Sequence, residues 1–184
     1  LTRMRGMAEV TVSGPQKIEY YREIACDVAE ECTKMVAMIN TMLEITRTES
    51  NLETISESKV SLNELVEQAY ELYQLLAEEK GQQFSLRLPE EKVMISADKI
   101  KIQRIVANLL DNAIKFTPEG GSVAIDLSVK DGMAELKISD TGCGIPEKDL
   151  ENVFKRFYRA DSSRTLPGNG LGLSLVRAIV EAHH

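Results

Sequence analysis

The sequence predicts an α+β protein in which a helical hairpin precedes an α/β sandwich with helices on one face of a sheet. Residues 16–50 contain no Gly or Pro and carry apolar side chains at alternating three- and four-residue steps. Further along, the pattern reads helix, two strands, helix, two strands, helix, loop, helix. Of the 184 residues, 43% are hydrophobic and 28% charged, which excludes disordered and collagen-like chains.

Charge and cysteine content narrow the possible functions. The formal net charge is -7, and residues 16–80 hold 14 acidic against 6 basic side chains, so we expect no nucleic-acid binding. The three cysteines lack zinc-ligand spacing and predict a reduced, cytoplasmic chain. No apolar run is long enough for a membrane span, so we expect no membrane contact here. Because the chain begins at Leu1, we expect a fragment of a longer protein, whose remainder could include an inner-membrane anchor.

Residues 1–50 are predicted to form a dimerisation hairpin. A short helix ends at Ser13-Gly14-Pro15, and a long helix runs from Gln16 to about Ser50. The apolar face of the long helix is wider than the short arm can cover, which favours a homodimer of two hairpins, with packing inside one monomer as the alternative. That face comprises Ile24, Val28, Met35, Val36, Met38, Ile39, Met42, Leu43 and Ile45.

A polar linker, residues 51–59, leads into a second domain at residues 60–184. Residues 60–62 predict a short strand, and Ser61 with Glu64 has capping-box spacing at the start of a helix over residues 62–80.

Alternation next predicts strands at residues 84–88 and 93–97, which we expect to pair as a hairpin about Pro89. Asp98 then opens a helix that extends to Thr117. We expect one apolar face of this helix to be buried, formed by Ile100, Ile105, Val106, Leu109, Leu110 and Ala113.

The last part of the chain predicts two further strands and two helices. Strands at residues 123–127 and 133–139 flank the turn Asp131-Gly132. Pro146 precedes a helix predicted over residues 147–157, and a glycine-rich segment leads into a helix over residues 173–182.

Two glycine-rich segments, 140–144 and 168–172, predict phosphate or nucleotide loops. Without Cβ atoms, backbone N–H groups can approach a polyphosphate, and the second segment runs into a helix N-terminus that favours anions. Taken singly, either segment could equally be a glycine turn. Neither matches the P-loop or the dinucleotide fingerprint.

Asn108 and Asn112 lie four residues apart on one helix face, with Lys115 one turn further along. Carboxamide oxygens can bind a hard cation, and a lysine beside them can contact phosphate. Ordinary surface asparagines are the alternative. The joint occurrence with the two glycine segments favours a nucleotide site.

Taken in order, residues 108–116, 140–146, 154–159 and 168–173 resemble the N, G1, F and G2 boxes of the sensor histidine kinases, which are GHKL-type ATPases. The start of the chain is similar to the segment that follows their phosphoacceptor box. The resemblance implies a mixed sheet covered by helices, a dimeric four-helix bundle, and ATP and Mg²⁺ as cofactors. It also implies transfer of the ATP γ-phosphate to a histidine and then to an aspartate of a response-regulator receiver domain.

The same resemblance assigns site residues. Asn108 and Lys115 would act in catalysis, Asn112 and Asn108 would hold Mg²⁺, and Asp140 would accept a hydrogen bond from the adenine amino group. Residues 157–168 would form a lid, in which Arg164 is available to phosphates. The remaining nucleotide-binding positions would be Phe116, Gly142, Gly144, Ile145, Phe157, Arg159, Gly168, Gly170, Leu171, Gly172 and Leu173.

Departures from the family leave alternatives. The phosphoacceptor histidine is absent from this chain and would lie before Leu1, and His183 and His184 are no substitute. A non-catalytic module that binds nucleotide and docks a partner is one alternative. Another GHKL ATPase is the second, although those enzymes usually carry glutamate where Asn108 stands.

Overall fold

The computed structural model describes residue 6 and residues 18–50, 55–160 and 168–183. The short first helix of the predicted hairpin and most of the predicted lid, including Arg164, lie outside the described residues. The chain divides into two compact units, Leu1–Leu43 and Glu44–His184. No helix within the described ranges is long and apolar enough to cross a membrane.

The first unit contains most of helix α1, Ile18–Glu49, which confirms the predicted long helix. Several apolar side chains of its predicted face are exposed to solvent. Val36 is 58% exposed and Ile39 is 55% exposed, and Met42 and Leu43 are also open to solvent.

The second unit begins with the last turns of α1, where Ile45 and Thr48 are buried. The buried Lys101 donates a hydrogen bond to Thr48 Oγ1 at 3.3 Å. Arg104 forms an ion pair with Glu44 at 3.2 Å. The end of α1 is therefore anchored to this unit by both apolar burial and charge.

Among the described residues of the second unit, five strands form two sheets. β1 (Ser58–Ser61) pairs antiparallel with β3 (Met94–Ala97). β2 (Gln83–Arg87) pairs parallel with β4 (Ser122–Lys130), which pairs antiparallel with β5 (Met133–Asp140). The three-stranded sheet is mixed, as expected.

The predicted hairpin between β2 and β3 is wrong, because these strands belong to different sheets. Asn63, in the first turn of the helix that begins at Leu62 and precedes both strands, holds the connection between them by hydrogen bonds. Its amide donates to the carbonyls of Pro89 and Glu91, each at 3.4 Å, and its Oδ1 accepts the Val93 N–H at 2.8 Å. These bonds replace the tight turn that a hairpin requires.

Helices α2 (Leu62–Glu79) and α3 (Lys99–Phe116) pack on the mixed sheet. Ser61 caps α2 by accepting the Glu64 N–H, and Asp98 caps α3 by accepting the N–H groups of residues 100 and 101. The core includes Val66, Val106, Leu110, Val123 and Ile125. Ile100 corrects the predicted buried face, since it is 68% exposed in the first turn of α3.

In the described part of the chain after β5 there are two helices, and the first is shorter than predicted. α4 spans only Glu147–Leu150, and α5 spans Gly172–Ala182. After Leu150 the chain continues in turns, and Phe157, the last residue of the predicted helix, has a left-handed backbone with φ of +61°, which an α-helix does not contain. Leu150 remains half-exposed, so a longer helix would gain little from burying it.

His183 joins the end of α5 to the start of α3. Its Nδ1 lies 2.8 Å from the carbonyl oxygen of Ile179, and its Nε2 accepts the Asp98 N–H at 3.3 Å. Both ring nitrogens therefore have partners within the fold.

Candidate functional site

A cavity of about 780 Å³ in the second unit brings together most of the predicted site residues. It lies between α3, β5 and the segments that contain the two glycine-rich motifs. The predicted residues that line it are Asn108, Asn112, Lys115, Phe116, Asp140, Gly144, Ile145, Arg159, Gly168, Gly170, Gly172 and Leu173.

One face of α3 supplies the polar wall of the cavity. The amide Nδ2 of Asn108 donates to the Arg104 carbonyl at 2.8 Å, so the side chain is held in one orientation. Its Oδ1 faces Gly172 closely enough that a methyl group on that glycine would lie 2.8 Å away. Asn112 follows one turn later. The two carboxamides therefore reach the cavity beside the glycine-rich segment.

Lys115 places a cation near the same segment. Its ammonium lies 4.5 Å from the centre of the Phe116 ring. Partial burial lowers the pKa of Lys115 from its ordinary value, and the positive charges of Arg159 and Lys80 lower it further. Because these surroundings disfavour the charged form of Lys115, an anion that binds beside the ammonium would stabilise that form.

Asp140 ends β5 on another side of the cavity. Its Oδ1 accepts the Gly142 N–H at 2.9 Å, which orients the carboxylate. A methyl group on Gly142 would lie 2.7 Å from both that oxygen and the Phe116 carbonyl oxygen. Only glycine permits this close passage of the chain. Gly142 therefore helps to orient Asp140 through its N–H group and does not itself line the cavity.

Two further predicted residues also lie off the wall. Leu171 is fully buried in the core. Phe157 is 49% exposed and does not line the cavity, although its N–H donates to the Gly170 carbonyl at 3.0 Å. Both residues contribute to the position of the second glycine-rich segment.

Several residues that line the cavity were not predicted as site residues. Leu136 and Ile138 of β5 provide apolar wall, and Tyr158 and Asp111 provide polar groups. Asp111 accepts a hydrogen bond from the Tyr73 hydroxyl at 2.8 Å, and burial together with this bond raises the pKa of Tyr73. Asp111 could have been found by spacing, since it lies three residues after Asn108 on the same helix face.

The charges of the cavity suit a ligand with two different ends. Lys115 and Arg159 lie by the second glycine-rich segment, and the Arg159 guanidinium donates to the Gly168 carbonyl at 2.8 Å. Asp140, an acceptor, lies at the end of β5. This arrangement favours an anionic group beside the cations and a hydrogen-bond donor beside the carboxylate.

A divalent cation would need help from such a ligand. Within the described ranges, no group of three or more His, Cys, Asp or Glu side chains could hold a metal ion. Asn108 and Asn112 offer carboxamide oxygens, which suit a hard cation. Mg²⁺ commonly takes one or two protein ligands and completes its shell with water and substrate phosphates. The donor set therefore fits Mg²⁺ that arrives with a polyphosphate.

Comparisons with known proteins agree with this geometry. Residues 97–184 match the family described as histidine kinase-, DNA gyrase B-, and HSP90-like ATPase. The chain is 37% identical over 163 residues to hybrid signal transduction histidine kinase D of Dictyostelium discoideum, an alignment that covers 85% of the chain and 10% of that protein.

Solved structures support the same relationship. The mycobacterial sensor histidine kinase MprB is 32% identical with a TM-score of 0.58, over 69% of this chain and 80% of that one. Histidine kinase ThkA in complex with the response regulator protein TrrA has a TM-score of 0.76 at 23% identity, over 98% of this chain and 50% of that one, and shows the shared fold. The chain spans 10% of the length of the Dictyostelium discoideum protein and 39% of the length of sensor protein IrlS of Burkholderia pseudomallei, so it corresponds to only part of these relatives.

Proposed function

This chain belongs to the histidine kinases as a GHKL-type ATP-binding core, and we propose that it transfers the γ-phosphate of ATP to a histidine outside residues 1–184. The phosphoryl group would then pass to an aspartate of a response regulator. The observation that carries the proposal is the single cavity in which the α3 asparagines, Lys115 and the second glycine-rich segment face Asp140.

The cavity suggests how ATP lies. Asp140 accepts a hydrogen bond from the adenine amino group, whereas guanine would present a carbonyl acceptor to this carboxylate. The triphosphate then extends toward Lys115 and Arg159, which neutralise its charge. The apolar side chains of Leu136 and Ile138 contribute to the wall of the cavity.

Asn112 and Asn108 would hold Mg²⁺ against the phosphates. When bound, Mg²⁺ supplies positive charge that stabilises the phosphoryl group during transfer. Asn108 and Lys115 serve catalysis by fixing the triphosphate, because phosphoryl transfer depends mainly on positioning and electrostatic stabilisation. The alternatives of a non-catalytic module or another GHKL ATPase are not favoured, because the cavity retains both asparagines and its cations.

The partners follow from the same proposal. The exposed apolar face on α1, which includes Val36 and Ile39, would pair with a second copy in a four-helix bundle. A response-regulator receiver domain is the second partner, as ThkA is bound to TrrA. Because the reaction uses ATP, we place this part of the protein in the cytoplasm, with any membrane anchor elsewhere in the parent.

The nucleotide site is tested by Asp140→Ala. Removing a charged acceptor should cost about 1.5–3 kcal/mol, which corresponds to roughly tenfold to 150-fold weaker ATP binding by calorimetry with Mg²⁺. Asp126→Ala is the matched control, since that carboxylate pairs with Arg87 and does not line the cavity. Unchanged ATP affinity in Asp140→Ala would remove this residue from the site.

The transfer itself needs a second measurement. The chain as it stands should acquire no acid-labile label from γ-labelled ATP, because its histidines are confined to residues 183 and 184. A version extended upstream to include a phosphoacceptor histidine should acquire that label. An extended chain that binds ATP but never becomes labelled would favour the non-catalytic module.

A further inference from the structure

A buried carboxylate and a tyrosine hydroxyl meet beside the cavity, outside the residues assigned to ATP. Asp149 is 7% exposed, in the short helix α4, and its Oδ1 accepts a hydrogen bond from the Tyr158 hydroxyl at 2.6 Å. Tyr158 lines the cavity, and Arg159 is the next residue. The hydrogen bond therefore links the buried side chain of Asp149 to Tyr158, the residue that precedes the cavity cation Arg159.

The backbone at this point is held in a conformation that needs support. Phe157 has a φ of +61°, which is unfavourable for a residue with a bulky side chain and persists only where the surroundings impose it. Its N–H donates to the Gly170 carbonyl at 3.0 Å. The Tyr158 carbonyl oxygen lies so near Gly170 that a methyl group there would approach it to 2.6 Å. Residues 157 and 158 therefore press against the second glycine-rich segment.

The contact of residues 157 and 158 with the second glycine-rich segment fixes the position of Arg159. Its guanidinium donates to the Gly168 carbonyl at 2.8 Å and lies near enough to Lys115 to lower the pKa of that lysine. A rotation of the backbone at Tyr158 would carry the guanidinium away from both. The hydrogen bond from Tyr158 to Asp149 restrains that rotation, because a side chain that moved with the backbone would carry its hydroxyl away from a buried carboxylate.

We propose that Asp149 and Tyr158 are a positioning pair that holds Arg159 at the phosphate end of the cavity. This inference rests on the proposed function, since it assigns Arg159 to the ATP phosphates. Neither Asp149 nor the Tyr158 hydroxyl needs to touch the nucleotide. The pair acts through the arginine, so its loss should weaken binding of phosphate-bearing ligands and leave binding of the nucleoside unchanged.

The test is a double-mutant cycle on the full chain with Tyr158→Phe and Arg159→Ala. Tyr158→Phe should weaken ATP binding roughly threefold to tenfold, the equivalent of one hydrogen bond, and leave adenosine binding unchanged. In the Arg159→Ala background, Tyr158→Phe should have no further effect on ATP. Calorimetry measures ATP binding, and ligand-observed NMR measures adenosine binding.

Two further variants separate positioning from folding. Asp149→Asn retains an oxygen acceptor for the tyrosine and should bind ATP like the parent, whereas Asp149→Ala should match Tyr158→Phe. Tyr70→Phe is the control, because it also removes a hydroxyl hydrogen bond, to the Phe84 carbonyl at 3.4 Å, but at a residue that does not line the cavity. Thermal melting of every variant establishes that it is folded.

The outcomes are distinct. Equal weakening of ATP and adenosine by Tyr158→Phe, or the same loss with and without Arg159, would overturn the positioning role. Unchanged ATP affinity in Tyr158→Phe would overturn it as well. ATP binding by the parent chain is measured first, and its absence would refute the proposed function itself.

Discussion

Gly172→Ala should separate nucleotide binding from stability. Gly172 is the first residue of α5, and it is not among the glycines with positive φ, so alanine can adopt its backbone conformation. Alanine in a helix is more stable than glycine by about 0.5–1 kcal/mol. The added methyl group, however, would lie 2.8 Å from Asn108 Oδ1, well inside ordinary contact distance. We therefore expect the protein to fold and the asparagine to be displaced.

The displacement of Asn108 determines how much ATP affinity should fall. Moving Asn108 off its preferred rotamer, or losing one hydrogen bond, costs about 1–2 kcal/mol, so ATP should bind roughly fivefold to thirtyfold more weakly with Mg²⁺ present. Calorimetry measures the affinity, and thermal unfolding measures stability. Gly132→Ala is the opposite control: its φ of +78° makes alanine unfavourable at an open hairpin tip, so stability should fall while ATP affinity is retained. A Gly172→Ala protein that binds ATP as tightly as the parent would refute the reasoning.

Three further expectations follow from burial and charge. Partial burial lowers the pKa of Lys115, and phosphate binds the charged form of this side chain. ATP affinity, measured by titration calorimetry, should therefore fall as pH rises, and the fall should begin below the ordinary lysine pKa. Lys115→Arg should move that fall to higher pH, because arginine keeps its charge. Leu110→Ala should lower the free energy of unfolding by about 2–5 kcal/mol in urea, since Leu110 is fully buried, whereas Leu72→Ala, at 70% exposure, should change it little. Light scattering over a concentration series should show a dimer for the chain and a monomer for Met38→Glu/Met42→Glu, and a parent that is monomeric throughout would contradict this.

The sequence predicts an element correctly where the contacts that determine its structure are made between residues close in sequence. Asp98 accepts N–H groups two and three residues away, so its identity alone predicts where α3 begins. Asp131-Gly132 turns β4 into β5 because both residues adopt positive φ, as a two-residue hairpin loop requires. The spacing of Asn108 and Asn112 likewise predicts that both side chains share one helix face, and in the structure both line the cavity.

Strand pairing was not available from the sequence. Alternation in β2 predicts which side chains of the strand point inward, but it contains no information on which strand lies beside it. The partner of β2 is β4, which follows only after α3 crosses the sheet. The side-chain bonds of Asn63, 26 to 30 residues away in sequence, decide against the local hairpin.

By itself, the sequence determined where α2 and α3 begin and which residues of α3 share a helix face, because each depends on neighbours within a few residues. Only the tertiary structure decided that Leu171 lies in the core, that Gly142 passes close to the Phe116 carbonyl oxygen, and that Asp149 reaches Tyr158. These facts depend on how close two segments pass, and that separation is set by the packing of whole elements rather than by the residues of either segment alone.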